Sequence, residues 1–265
     1  MITDLPRLLG SFPPRTLPPG RLVEPGDGGS PPYWLSEAPV GVALWSRLRS
    51  QHRQSGLWPL LLSGLSSEET RPWADGEVFP AGMSSPDRHD AAELLARWWT
   101  AHTRIDEDDM RAAAEHAAVT APFGERWPGL AVPGDASAPP DDFADQYAEF
   151  LLFKPARLGL VPAARGADTL AVSGWSGPLN HTSDTGEISA VVRSWEDRFG
   201  VRVVGVGFDT LHLSVAAPPT SIEHACQVAA EHFAFCPDNI WQGAGTLTAY
   251  AEGILGAHSW SFWWD

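Results

Sequence analysis

Residues 184–215 read DTGEISAVVRSWEDRFGVRVVGVGFDTLHLSV, and they set the expectation for the fold. The first half has an acidic N-cap, Asp184, and a glycine stop, Gly200, around five apolar side chains at helical spacing: Ile188, Val191, Val192, Trp195 and Phe199. The second half is apolar up to a turn at residues 209–210 and then alternates with period two through residues 211–215. The stretch therefore predicts one amphipathic helix followed by a β-hairpin.

The residues on either side of this stretch predict the rest of a C-terminal domain. Strands are expected at 158–161, 169–173 and 259–265, and helices at 222–233 and 247–255. The resulting order of strand, helix, strand, strand, helix and strand is that of a ferredoxin-like, split βαβ unit. The predicted fold class is α+β, with both helices on one face of the C-terminal sheet. The other face would meet solvent, the N-terminal half or a partner, and function is expected there.

The N-terminal half has a different pattern. Residues 1–40 contain nine prolines and predict an extended leader, which four leucines would anchor to the body: Leu5, Leu8, Leu9 and Leu17. Residues 41–150 predict a mostly helical α/β region, with helices at 42–54, 91–102, 107–119 and 141–150. Leu57–Leu62 predicts a buried strand in which Pro59 favours the strand start or a sheet edge. The C-terminal domain is expected at residues 151–265.

Composition excludes several classes of protein. The 265 residues carry 18 basic and 33 acidic side chains, a net charge of −15, which argues against nucleic-acid partners and anionic membranes. Two cysteines form no disulfide framework and no zinc motif. No apolar run is long enough for a signal peptide or a membrane span, so a cytoplasmic location is expected. The 13 tryptophans suit a core, an interface or a stacking site.

Three stretches of the C-terminal domain resemble one known family. They are EHFAFCPDNI at 231–240, residues 194–215, and WSFWWD at 260–265. The family consists of actinobacterial proteins known only as a domain of unknown function (number four-two-five-three). The resemblance covers about residues 155–265 and implies no activity, cofactor or catalytic residue.

Two constellations could carry chemistry. The first is a set of metal-ligand types: His224, Glu231, His232, Cys236 and Asp238. Its spacing matches no standard ligand pair, because on a helix His224 lies opposite the apolar stripe whereas His232 flanks it. A last-turn histidine and a turn-forming aspartate explain His232 and Asp238 without metal or catalysis. We therefore predict no metal site.

The second constellation is Gly174-Trp175-Ser176-Gly177, with His181, Asp184 and Asp209 nearby. It fails the G-x-S-x-G pattern of a nucleophile elbow because the second glycine comes one residue early. A Ser–His–Asp site nevertheless stays open, since such triads do not depend on sequence spacing.

The leading hypothesis is a non-catalytic cytoplasmic protein that binds a protein or peptide partner, in an immunity or regulatory role. His212 lies on the polar face of its predicted strand, where Trp175 or Trp263 beside it would line a half-apolar groove. The candidate binding residues are Trp175, His181, His212, His232, Asp238 and Trp263. The alternative is a small-molecule hydrolase or transferase that uses His181, His212 or His232, and a third hypothesis is a structural or assembly protein. No cofactor is predicted, and the catalytic residues and oligomeric state stay open.

Overall fold

The computed structural model describes residues 4–66, 68–104 and 117–265. Within these ranges seven strands form one mixed sheet in the order β1-β2-β4-β3-β5-β6-β7. The strands are β1 (Gly20–Leu22), β2 (Trp34–Pro39), β3 (Leu57–Leu62), β4 (Arg157–Pro162), β5 (Arg202–Val206), β6 (Thr210–Ser214) and β7 (Ser259–Trp263). Neighbouring strands are antiparallel except β3 and β5, which pair in parallel at Leu61–Gly205 and Leu62–Val206. The sheet thus draws strands from all three predicted segments of the chain.

Helices cover both faces of the sheet. They are α1 (Leu5–Leu9), α2 (Val42–Ser50), α3 (His52–Ser55), α4 (Ala91–Thr103), α5 (Pro140–Leu151), α6 (Thr169–Ser173), α7 (Thr185–Phe199), α8 (Ile222–Phe235) and α9 (Leu247–Ile254). One buried cluster joins α4, α6, α7, α8 and α9 to the first face. A second cluster joins α1, α2 and α5 to the opposite face. Alternation along β3 separates them, since Leu60 belongs to the first cluster and Leu61 to the second. The protein is therefore a three-layer, mixed α/β structure.

Local sequence signals are confirmed over most of the chain. The helices predicted at 42–54, 91–102 and 141–150 and the final strand form as expected. Asp184 caps α7 through a bond from the Gly186 amide, and Gly200 ends it with φ of 60°. The helix predicted at 107–119 lies largely outside the described residues, and residues 117–120 are helical. In the leader Leu5 is buried, and the other three predicted anchors pack against the second cluster.

Pro59 lies in the centre of the sheet and is the third residue of its strand, where the strand start or a sheet edge was expected. Ser63 donates its amide to Val206 of β5, so by alternation the amide position of residue 59 also faces β5. The parallel ladder with β5 begins only at Leu61, and the proline therefore interrupts no ladder bond. Instead the Trp58 Nε1 donates to the Val203 carbonyl of β5 at 2.9 Å. A local gap between two strands accommodates the proline.

The strand predicted at 169–173 is wrong, because these residues form the short helix α6. Four of its five residues are buried, so no alternation distinguishes a strand from a helix there. The Thr169 hydroxyl donates to the Gly166 carbonyl at 2.6 Å, and Gly174 ends the helix in the left-handed conformation.

The ferredoxin-like strand order predicted for the C-terminal domain is also wrong. In that order β7 would lie beside β4, but here β7 pairs with β6 at the far edge of the sheet. The strand β3, from the N-terminal half, separates β4 from β5. The second face of the sheet is covered by N-terminal helices, which is one of the three possibilities that the sequence left open for it.

The outer edge of β7 is closed by a side chain. Asn239 is the first residue of a π-helical turn (Asn239–Ala244), and its side-chain amide bonds β7 as the backbone of a neighbouring strand would. Its Nδ2 donates to the Ser261 carbonyl at 2.8 Å, and its Oδ1 accepts from the Trp263 amide at 3.2 Å. These bonds occupy backbone groups that an exposed edge strand would otherwise offer to another chain.

Replacing Asn239 with alanine is expected to lower the free energy of unfolding by about 1–2 kcal/mol, because two hydrogen bonds to β7 are lost. Urea denaturation measures the loss, and light scattering should detect more association as protein concentration rises. Gln242→Ala is the control, since Gln242 is exposed and its side chain bonds only Asp238. Equal stability of the two variants would show that Asn239 does not protect the edge.

Candidate functional site

Trp175 is a core residue, which corrects the expectation that it lines a groove. Its side chain is fully buried, and its Nε1 donates to the carbonyls of Gly207 and Phe208, both at 3.0 Å. The ring packs edge-on against Trp264. Trp175 therefore holds the β5–β6 connection onto the core and presents nothing to a ligand.

Most of the other indoles are buried as well, so of the roles that the composition left open for them the core is the main one. Ten of the 13 tryptophans are at most 6 % exposed. Trp263 and Trp241 are 38 % and 41 % exposed, and Trp127 is partly buried. Eight of these ten rings belong to the first cluster, where Trp195 contacts His232, Phe235, Trp260 and Phe262, and the other two, Trp34 and Trp45, belong to the second cluster.

His232 lies in this aromatic interior and not at its boundary. It is fully buried, its Nδ1 is 3.1 Å from the Tyr250 hydroxyl, and its Nε2 has no hydrogen-bond partner among the described residues. Burial, with a smaller contribution from the Arg198 charge, lowers the pKa of His232 to about 3. The imidazole is therefore neutral at ordinary pH and inaccessible to substrate.

His181 packs on Trp98 and stacks on His102, with ring centroids 4.6 and 5.3 Å apart. Burial lowers its pKa to about 3, aided by the charges of His102 and Arg97. No hydrogen bond joins His181 to Ser176, Asp184 or Asp209. The triad that the sequence left open is therefore not assembled.

Asp184 is committed to a structural role. Burial opposes ionisation of its carboxyl group, but hydrogen bonds from Ser84 and from the Gly186 amide prevail and lower its pKa.

The predicted metal-ligand types are each engaged separately. His224 Nε2 lies 2.9 Å from the Val132 carbonyl, and Asp238 accepts bonds from Gln242 and from the Asp265 amide. Burial raises the pKa of the Cys236 thiol to about 12. Within the described ranges, no group of three or more His, Cys, Asp or Glu side chains is arranged to hold a metal ion.

Glu231 belongs to a buried ion pair that the sequence analysis did not foresee. The carboxylate is completely buried and accepts from both terminal nitrogens of Arg198, at 2.8 and 2.6 Å. It also accepts from the Ala131 amide and from the Trp195 Nε1, both at 2.7 Å. This network fastens the loop around residue 131 to α7 and α8, and its carboxylate is shielded from solvent.

Among the predicted histidines, His212 lines a cavity. It lines an apolar groove of about 350 Å³, here named the His212 groove, together with Leu61, Ser63, Phe150, Leu151, Phe153, Lys154, Pro155, Ala156 and Gly205. The groove lies at the carboxyl ends of β3 and β5, the parallel pair, which is where open α/β sheets most often bind ligands. Phe150 and Phe153 are 64 % and 84 % exposed at its border.

The polar groups of the groove are few. His212 Nδ1 lies 3.3 Å from the Tyr147 hydroxyl, and burial, reinforced by the charge of Lys154, lowers the His212 pKa. Burial also raises the pKa of Tyr147 to about 12, so its hydroxyl stays protonated. Lys154 is exposed and forms no ion pair with any described residue. The groove therefore combines apolar walls with one cation and one neutral imidazole.

A larger cavity, of about 680 Å³, is a weaker candidate because its charges compensate one another. Arginine and acidic side chains line it, among them Arg49 and Arg165. Arg49 pairs with Asp141 at 2.8 Å, and Arg165 pairs with Glu196 at 2.7 Å. Paired charges of this kind stabilise the fold around the cavity and leave little unsatisfied chemistry for a ligand.

Sequence reasoning found His212 but missed Phe150, Phe153 and Lys154. The available signal was that apolar residues continue past the end of α5, up to the only lysine of the chain. Trp263, the other exposed candidate, does not line the groove.

The geometry defines a three-layer α/β protein with an apolar, singly cationic groove beside its parallel strand pair. The family model described as a domain of unknown function (DUF4253) matches residues 157–265, which confirms the resemblance to that family over this part of the chain. No curated protein and no solved structure matches the chain. The matched region begins with β4 and includes Gly205 and His212, whereas the groove residues 150–156 precede it. Among the described residues, no helix combines the length and apolarity needed to cross a bilayer.

Proposed function

We propose that the protein acts without catalysis and binds a segment of a protein or peptide partner in the His212 groove. The observation that carries this proposal is the exposure of Phe150 and Phe153, whose ring centroids are 6.3 Å apart, beside a preformed apolar groove. Adjacent exposed aromatic side chains are typical of recognition surfaces, because water contacts them at a cost in free energy that a partner can relieve.

The groove chemistry favours binding over the hydrolase or transferase alternative. None of its lining residues is acidic, and the group that contacts His212 Nδ1 is a phenol. A histidine base in a hydrolase is usually oriented by a carboxylate and lies within hydrogen-bond reach of its nucleophile. Ser63 is the only hydroxyl side chain that lines the groove, and no hydrogen bond joins it to His212. These features support recognition by contact.

A cytoplasmic location forms part of the proposal. Both cysteines, Cys226 and Cys236, are buried and unpaired, as is usual for proteins of reducing compartments.

Site-specific photo-crosslinking tests the proposed function. A photoreactive phenylalanine analogue at position 153, in native cell extract, is expected to give one discrete adduct with a second protein. The same analogue at Val132, which is 63 % exposed, is the control and should not give that adduct. The purified partner should then bind the unmodified protein, and the double substitution Phe150→Ser with Phe153→Ser should weaken binding at least about tenfold.

Three outcomes would contradict the proposed function. They are the absence of an adduct at 153, the same adduct at both positions, and an adduct between two copies of this chain, which would instead support an assembly role.

A further inference from the structure

We infer that the segment bound in the His212 groove carries a large apolar side chain followed by a carboxylate, and that Lys154 and His212 hold this carboxylate together. The inference rests on the proposed function and specifies the chemistry of the partner at the same site. It follows from the charge, the hydrogen-bond donors and the size of the groove.

Local charge favours a carboxylate. Lys154 is the only charged side chain that lines the groove, and it is exposed without an ion pair to any described residue. The chain as a whole carries a net charge of −15, so the positive charge of Lys154 at the border of the groove stands out from a protein that is otherwise acidic. An anionic group here gains a partner that the folded protein does not supply, whereas elsewhere it would meet net repulsion.

His212 offers a second donor to the same group. A phenol that stays protonated can donate to Nδ1 of the neutral imidazole, which then carries its own proton on Nε2. Nε2 forms no hydrogen bond to a described residue, so this N–H is available to the groove. An ammonium and an imidazole N–H that converge on one groove match the two oxygens of a carboxylate.

The floor of the groove leaves space for one large apolar side chain. Gly205 forms part of this floor, and a Cβ built there would lie 3.2 Å from Leu151 Cδ1 and 3.5 Å from His212 Cδ2. A side chain at 205 would therefore crowd Leu151 and His212, two of the residues that line the groove. With about 350 Å³, the groove is near the lower limit for binding sites and suits a single anchor.

Phe150 and Phe153 favour a peptide over a free amphiphilic acid. Their exposed rings extend the apolar surface beyond the groove itself. A small acid that filled the groove would leave this outer surface in water, whereas a peptide that continues past its anchor would cover it.

Three soluble probes test the inference by fluorescence competition and NMR. They are an uncharged Gly/Ser peptide with a central Leu-Phe-Asp-Glu, the same peptide with both acids replaced by lysine, and decanoate. We expect the acidic peptide to bind about tenfold more tightly than the basic one. Its carboxylate should also raise the His212 pKa by about half a unit or more, because an opposite charge favours the imidazolium form.

Variants of the full chain test the residues. Lys154→Glu should abolish or reverse the preference for the acidic peptide, whereas Arg126→Glu, at an exposed cation outside the groove, should preserve it. Gly205→Val should abolish binding of both peptides, with thermal unfolding as the check on folding. Lys154 is exposed, so its substitution should leave thermal unfolding unchanged.

Equal binding of the two peptides, or a preference that survives Lys154→Glu, would overturn the carboxylate inference. Tighter binding of decanoate than of the acidic peptide would identify a free amphiphile as the ligand and overturn the peptide assignment. A partner that crosslinks at position 153 while these preferences are absent would leave the proposed function intact. Loss of that crosslink would overturn both.

Discussion

Replacing Glu231 with glutamine is expected to lower the free energy of unfolding by about 3–5 kcal/mol, the largest effect of any single substitution proposed for this protein. The change removes the charge that Arg198 faces, and the arginine side chain is only 12 % exposed. An amide cannot accept from both guanidinium nitrogens, the Ala131 amide and the Trp195 indole at once. Buried donors are then left unsatisfied, and each of them costs free energy.

Urea denaturation, monitored by tryptophan fluorescence, measures this loss. Glu223→Gln is the matched control, because Glu223 lies on the same helix but is exposed, and its substitution should cost less than about 1 kcal/mol. If both variants unfold at the same urea concentration, the ion pair does not stabilise the fold.

Acidification from pH 7.5 to pH 5 is expected to lower the free energy of unfolding by about 4 kcal/mol through two histidines. His181 and His232 have folded-state pKa values of about 3, against 6.5 for an ordinary histidine. Below pH 6.5 the two histidines bind protons in the unfolded chain but not in the folded protein. The stability that they contribute is therefore fully present above this pH and is lost as the pH falls toward 3. Each histidine accounts for about 2 kcal/mol by pH 5.

Denaturation curves at intervals of half a pH unit test this dependence. His232→Phe should remove the share of the loss that His232 contributes, about 2 kcal/mol between pH 7.5 and pH 5, and leave the share of His181. A flat stability profile in the wild-type protein would mean that both imidazoles take up protons while the chain stays folded.

The sequence was sufficient for elements whose signals are local. The helix α7 carries an N-cap, an apolar stripe and a glycine stop within 17 residues, and β6 alternates cleanly, so neither depends on distant partners. The signal failed at Thr169–Ser173, because burial on all sides removes the periodicity that separates a short helix from a strand.

The order of the strands in the sheet could not be predicted from the sequence for a related reason. Every residue of Leu57–Leu62 is buried, and such a strand specifies no preferred neighbour. Its pairing with β4 and β5 joins residues about a hundred or more positions apart, which no local pattern encodes.

Only part of the candidate site could be predicted from the sequence. His212 was identified from strand alternation. Phe150 lies in the last turn of the amphipathic helix α5 and Phe153 just beyond its end, where apolar residues normally mark a core. Their exposure depends on where α5 ends relative to the sheet. The number of tryptophans suggested a recognition surface, but most of them are buried in the interior.

The insertion of β3 between β4 and β5 has a consequence for biosynthesis. During translation β3 leaves the ribosome long before its neighbours β4 and β5 have been synthesised. Six consecutive buried residues therefore stay without their partner strands during that time. Chains with many such distant pairings fold slowly through aggregation-prone intermediates that expose apolar surface. We therefore expect the nascent protein to bind chaperones. A fragment restricted to residues 157–265 would lack β3, so its strands β4 and β5 would have no strand between them. A strand from another chain could then pair with both.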